Sequence, residues 1–334
     1  MTTRPRSGGA DQPTTRTFLV VAREQRTDRN GGAYMTLTVR DQDLTDHAAK
    51  AWGSLAHAFD LLQPGAVVDL TIRSEVYQGN TSLTVLGVSP SDVPRVSFQR
   101  RTHLDVEALW AGLEARVEAM TEPVTRHVAR KLMERPGFAE AFKRAPAARK
   151  MHNAWVGGLI EHVHSLCTLA DGVVPHYQTL FKMPISRDKV IFGLMFHDAG
   201  KIYEYDIDDP GFGYTAIGTF TPHMVLGAAW VYQAAGSFPE RKTFPGYELE
   251  VAHLMHILAA HHGRLDWGSP VRPASLEALL VHQLDTLDAK VMHAWDHVAG
   301  KPGTTPGFSQ LSRAEETSYF QPGRDGEAPP GLAD

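Results

Sequence analysis

The chain has 334 residues, 43 % of them hydrophobic, and a formal net charge of −5. That is enough to bury one large core or two smaller ones, and it excludes a strongly basic nucleic-acid coat protein. An enzyme acting on nucleic acid stays open, because bound divalent cations supply local positive charge.

The N-terminal stretch MTTRPRSGGADQPTTRT carries Arg but no apolar run behind it, so it is not a secretory signal. Residues 1–16 read as a disordered leader. From 17 to 95, short alternating segments are separated by turn residues. Phe18 to Ala22 is β-rich. Met35, Leu37 and Val39 alternate with Tyr34, Thr36, Thr38 and Arg40, and Val68, Leu70 and Ile72 alternate with Asp69, Thr71 and Arg73. Gln78-Gly79-Asn80 turns the chain before Leu83 and Val85, and Asp46 to Leu62 reads as a helix between strands. About five strands around one helix predict a small barrel of the oligonucleotide/oligosaccharide-binding (OB) type. Its outward positions Tyr34, Arg40, Arg73 and Tyr77 are candidates for stacking bases and holding phosphates, or else ordinary solvated strand residues. Charge does not decide, since residues 1–100 hold eleven Lys/Arg against ten Asp/Glu.

After residue 100 the apolar period becomes helical, so an all-α bundle over 104–300 is expected to follow the barrel. Helices are predicted over 106–120, 124–133, 155–174, 188–196, 222–235, 247–261 and 273–298. Arg135-Pro136-Gly137 breaks the second, Gly200 caps the helix over 188–196, and 206–219 reads as a loop or hairpin. Cys167 lies in an apolar helical pattern and reads as a packing residue; as the single cysteine it excludes an internal disulfide and fits a reducing compartment. Residues 301–334, rich in Gly, Pro and charge, read as a flexible tail. No segment reaches the roughly 18 apolar residues of a membrane helix. A cytoplasmic protein is expected, with association between copies through helices bearing Trp110 or Trp230.

The helical region carries an ordered set of metal-ligand side chains: His162 in GGLIEH, His197-Asp198 in FHDAGK, His223 in TPHMV, His261-His262 in AAHHG, and Asp285 with Asp288 in HQLDTLDAK. Seventeen histidines produce coincidences, and a lone His-Asp pair is more often a cap or salt bridge. The ordered set is the signal, with every member on or at the end of a helix. His164 lies about 200° around its helix from His162 and is left out. Asp285 is the better direct ligand and Asp288 the better support behind one. With two carboxylates and no nearby cysteine, the donors suit Mn²⁺, Mg²⁺, Fe or Co²⁺ rather than a structural zinc.

These residues resemble the H…HD…D pattern of the HD-domain metal-dependent phosphohydrolases, and the extra His223 and His261-His262 resemble the subset holding two metals. GGLIEHVHSL, LMFHDAGKIYEY and AAHHGRLDWGSPVRPASLEALLVHQLDTLDAKV narrow the resemblance to the YhaM-like 3′–5′ exoribonucleases, over roughly residues 17–300. The resemblance implies an N-terminal OB-fold followed by an HD-domain helical bundle. It implies 3′–5′ hydrolysis of single-stranded RNA or DNA to nucleoside monophosphates, with Mn²⁺ as the usual activator and two ions per site. Carried over, the metal ligands are His162, His197, Asp198, His223, His261, His262 and Asp285, with Lys201 as the phosphate contact. Two rival readings remain at this point: an HD phosphohydrolase acting on nucleotides or cyclic dinucleotides, and a non-catalytic single-strand-binding protein.

Overall fold

The computed structural model describes residues 12–28, 31–77, 80–149, 153–209, 211–300 and 302–322, with backbone alone over 75–77 and 80–81. The chain forms two compact units, one of residues 1–100 with 208–211 and one of 101–207 with 212–334.

The first unit is a closed barrel of β1 (Thr14–Thr27), β2 (Ala33–Arg40), β3 (Asp46–Ala51), β4 (Val67–Tyr77) and β5 (Asn80–Pro90) in the order β1-β2-β3-β5-β4. All neighbours are antiparallel except β3 and β5. The alternation in the sequence is the alternation of the barrel. Met35, Leu37 and Val39 of β2 and Val68, Leu70 and Ile72 of β4 point inward, where Phe18, Val20, Leu83 and Val85 complete the core. β1 begins at Thr14, inside the segment expected as leader.

The helix expected over Asp46 to Leu62 is not there. Its first half is β3, which pairs with β2 from Arg40↔Asp46 to Met35↔Ala51 and buries Ala49 and Ala51. A 3₁₀ helix over Gly53–Leu61 then buries Leu55, Ala58 and Phe59. An Ala-rich segment favours a helix in isolation, but closing the barrel needs a strand between β2 and β5, and tertiary pairing wins.

The second unit is helical: α1 (Val106–Glu118), α2 (Pro123–Met133), α3 (Phe138–Arg144), α4 (Gly158–Phe181), α5 (Arg187–Phe196), α6 (Lys201–Glu204), α7 (Ala216–Phe220), α8 (His223–Ala235), α9 (Tyr247–Ala260) and α10 (Leu276–Ala299). Helix α5 is the axis of the bundle, with every residue from Asp188 to Phe196 buried, as a helix without a polar face must be. Its N-terminus is fixed twice. Ser186 Oγ caps it through Lys189 N at 3.1 Å, and Asp188 accepts from the Thr121 and Glu122 amides at the start of α2. Cys167 is fully buried in α4, and burial pushes its thiol up to about 12.

Three expectations are corrected here. Helix α4 continues through Pro175 to Phe181 and stops at Lys182, which has φ +55. The Trp110 and Trp230 rings are buried against Phe138, so any face their helices present for association is made by other side chains, such as Val225 and Tyr232 of α8. Residues 302–322 are not a trailing tail. They fold back with bridges Pro302↔Ser309, Phe308↔Phe320 and Ser312↔Thr317, and Gln321 Nε2 donates to the carbonyls of His297, Val298 and Gly300 at the end of α10. Among the described residues, no helix is long and apolar enough to cross a membrane.

Candidate metal centre

The ligand-type side chains converge from five elements of the second unit. His162 comes from the first turn of α4, His197 and Asp198 from the end of α5, His223 from the first residue of α8, His261 and His262 from the end of α9, and Asp285 from the middle of α10. They form two trios, His162–His197–Asp285 and His223–His261–His262, each with ligand atoms within 4.8 Å of one another. Asp198 lies between the trios. Its Oδ2 is 3.4 Å from His197 Nε2, and its Oδ1 is 3.3 Å from His223 Nε2 and 3.6 Å from His261 Nε2. Asp285 Oδ1 is 3.2 Å from His162 Nε2 and 3.7 Å from His197 Nε2.

Hydrogen bonds on the far side of each ring set its tautomer. Nδ1 of His197, His261 and His262 donates to the carbonyls of Leu194 (3.0 Å), Leu258 (2.7 Å) and Trp267 (2.9 Å). His162 Nδ1 meets Asp288 Oδ2 at 2.8 Å, and His223 Nδ1 meets Glu204 Oε2 at 2.6 Å. A carbonyl or carboxylate only accepts, so Nδ1 carries the proton and a neutral ring turns its Nε2 lone pair toward the centre. There the buried Nε2 atoms of His197, His223 and His261 and Oδ1 of Asp198 have no hydrogen-bond partner in the protein. Leaving four such atoms unsatisfied is costly unless a cation takes their lone pairs. The residues present fit divalent metal.

Electrostatics divides the two trios. Burial favours the neutral form of His223 and His261 and lowers both, and burial reinforced by His261 brings His262 down to about 4. These rings are ready to ligate at neutral pH. Burial also opposes charge on His162, but hydrogen bonds to Asp285 and Asp288 outweigh it and raise its pKa to about 9. A cation at this trio must displace that proton. Asp198 is held well below the usual carboxylate range: burial works against ionisation, and Lys201 and His197 overcome it.

Lys201 lies beside the central carboxylate. Its ammonium lies 2.7 Å from Asp198 Oδ2 and 2.6 Å from the Ala147 carbonyl, so it orients the central carboxylate. Gly200 is not a helix C-cap; His197 is. Gly200 opens α6, and a Cβ there would collide with the backbone of His223. Its lack of a side chain lets α8 bring His223 to Asp198. Asp288 Oδ2 meets His162 Nδ1, and Ser165 Oγ donates to its other oxygen at 2.6 Å. His164 faces Gly112 instead of the centre. Glu204, which orients His223, was not singled out in the sequence; its only signal was a carboxylate in a short segment following the His-Asp pair.

A cavity of about 520 Å³ opens over the centre, lined in part by Asp198, His261, His262, Trp267 and Asp285. In the barrel, the three described candidate nucleic-acid contacts, Tyr34, Arg40 and Arg73, do not gather into one patch. Tyr34 stacks on Trp52 at 5.1 Å, and Arg40 is locked to Asp46 by two hydrogen bonds of 2.7 and 3.1 Å. Tyr34 pairs with Arg26 at one end of β1, whereas Arg73 lies just beyond the Thr14↔Ile72 pair at the other. The Tyr77 side chain and residues 78–79 of the expected turn lie outside the described residues.

The HD domain family matches residues 159–290, which contain both trios. Proteins named 3′-5′ exoribonuclease YhaM are similar over both units. That of Geobacillus sp. (strain WCH70) is 28 % identical over 298 residues, covering 88 % of this chain and 87 % of its own. Together these similarities support a YhaM-like family for the chain. The Bacillus subtilis (strain 168) relative is 27 % identical over 298 residues, with 88 % and 90 % covered, and that of Listeria innocua serovar 6a is 27 % identical over 315, with 91 % and 94 % covered. No solved structure matches.

Proposed function

We propose that the protein is a metal-dependent 3′–5′ exoribonuclease that releases nucleoside monophosphates from single-stranded RNA, and that single-stranded DNA enters the same centre. The observation that carries this reading is Asp198, offering one oxygen to each histidine trio beneath an open cavity. The direction of attack and the RNA substrate follow the activity for which the relatives are named.

In this reading His162, His197 and Asp285 would hold one cation and His223, His261 and His262 a second, with Asp198 offering an oxygen to each. Mixed imidazole and carboxylate donors are compatible with Mn²⁺, Mg²⁺, Fe and Co²⁺, and Mn²⁺ comes first because it is the activator that the family resemblance implies. Bound cations supply charge neutralisation for the phosphodiester and an activated nucleophile at neutral pH. Lys201 fixes Asp198 by its Oδ2, while Glu204 and Asp288 hold the His223 and His162 rings at their working angles. In the overall reaction water forms a new bond to phosphorus and the bond to the 3′ oxygen breaks. The released nucleotide keeps the phosphate, and the shortened strand keeps a 3′ hydroxyl.

The test is a 5′-labelled single strand incubated with the purified chain and Mn²⁺. A ladder shortening one nucleotide at a time from the 3′ end is expected. Internal fragments, or a strand that stays intact, would overturn the reading.

A further inference from the structure

Two described residues lining the cavity carry a permanent positive charge, Lys201 and Lys290. Lys201 is committed to Asp198 and the Ala147 carbonyl. Lys290 is half exposed, and its ammonium meets Glu315 Oε2 at 3.1 Å. An RNA strand brings more than the scissile phosphate into this cavity, and each further phosphate needs a cation or water to compensate it.

Resting on the nuclease reading, we propose that Lys290 binds the phosphate next to the scissile one, and that Glu315 occupies that position until the strand arrives. Asp285, Ala289 and His293 follow at four-residue intervals on one face of α10, with Lys290 beside Ala289, and all four line the cavity. From Asp285 to Lys290 the helix axis advances about 7.5 Å, comparable to the step between neighbouring phosphates of an extended strand. Ala289 keeps the path between them low. Glu315 is delivered by the folded C-terminal segment. Ser312 Oγ contacts His293 Nε2 at 2.8 Å and accepts from Glu315 N at 3.2 Å, and Gln321 ties the segment to the end of α10. A carboxylate on a half-exposed ammonium is a weak pairing, which the doubly coordinating oxygens of a phosphate displace.

The experiment measures binding of a 5′-labelled, phosphorothioate-linked single strand with Mn²⁺ by fluorescence anisotropy over a range of salt. Lys290→Ala should weaken binding about tenfold and reduce the slope of log affinity against log salt by about 0.7, one phosphate contact on a single strand. Lys290→Arg should restore the slope, and Glu315→Gln should tighten binding several-fold. An unchanged slope in Lys290→Ala, weaker binding in Glu315→Gln, or no strand binding by the unmodified protein would each overturn the assignment. A Lys290-dependent slope alongside an intact normal strand would instead support the assignment and refute exonuclease activity.

Discussion

Asp198 faces both histidine trios and takes its orientation from Lys201. Replacing it with Asn keeps the shape but removes the charge that both cations would share. Asp198→Asn is expected to abolish strand shortening and metal uptake, measured by elemental analysis of the purified variant. Glu204 acts one step further out: Glu204→Gln should cost about 10–100-fold in metal affinity, the usual loss when a ligand's supporting hydrogen bond is altered, read by titrating Mn²⁺ against activity. The histidines also set a pH signature for the metal-free protein. His162 has its pKa raised to about 9, so its stabilisation is full below the unfolded value near 6.5 and is lost as pH rises toward 9. His262 is depressed to about 4, so its contribution is present above 6.5 and lost as pH falls toward 4. In EDTA, Tm should therefore fall on both sides of pH 6.5, and His162→Asn should flatten the alkaline side alone.

At the scale of elements, Gly200 decides whether α8 reaches the centre. Gly200→Ala drives a methyl into the His223 backbone, so loss of activity is expected together with a lower Tm in differential scanning calorimetry. Helix periodicity made α1, α2, α5, α9 and α10 readable in the sequence to within a few residues, because their apolar faces are continuous. The ligand motifs were equally readable, since each pair sits at one helix end. Other features were not. Ala48-Ala49-Lys50-Ala51 carries helical propensity, and only its partners β2 and β5 make it a strand. The helix predicted to end at 174 runs on through Pro175 to Phe181. Glu204 reaches His223 across 19 residues of chain, a distance no local pattern reports. Trp52 was hidden inside the expected helix, although it forms the aromatic pair with Tyr34.

For the whole molecule, the relatives align with most of their length to both units, and under the proposed function the barrel would bind the strand that the bundle hydrolyses. Trp52 is 41 % exposed beside Tyr34, and stacking a base on such a surface contributes about 1–3 kcal/mol. Trp52→Ala should flatten the dependence of kcat/KM on strand length, measured by comparing long and very short substrates. If the length dependence is unchanged, the barrel does not use this pair. Composition read residues 301–334 as a flexible tail, but Gln321 closes three carbonyls at the end of α10. A minimal catalytic fragment cut at 300 would therefore uncap the helix that supplies Asp285. It would fray from that end and tend to aggregate, whereas a purification handle placed after residue 322 would leave the closure intact.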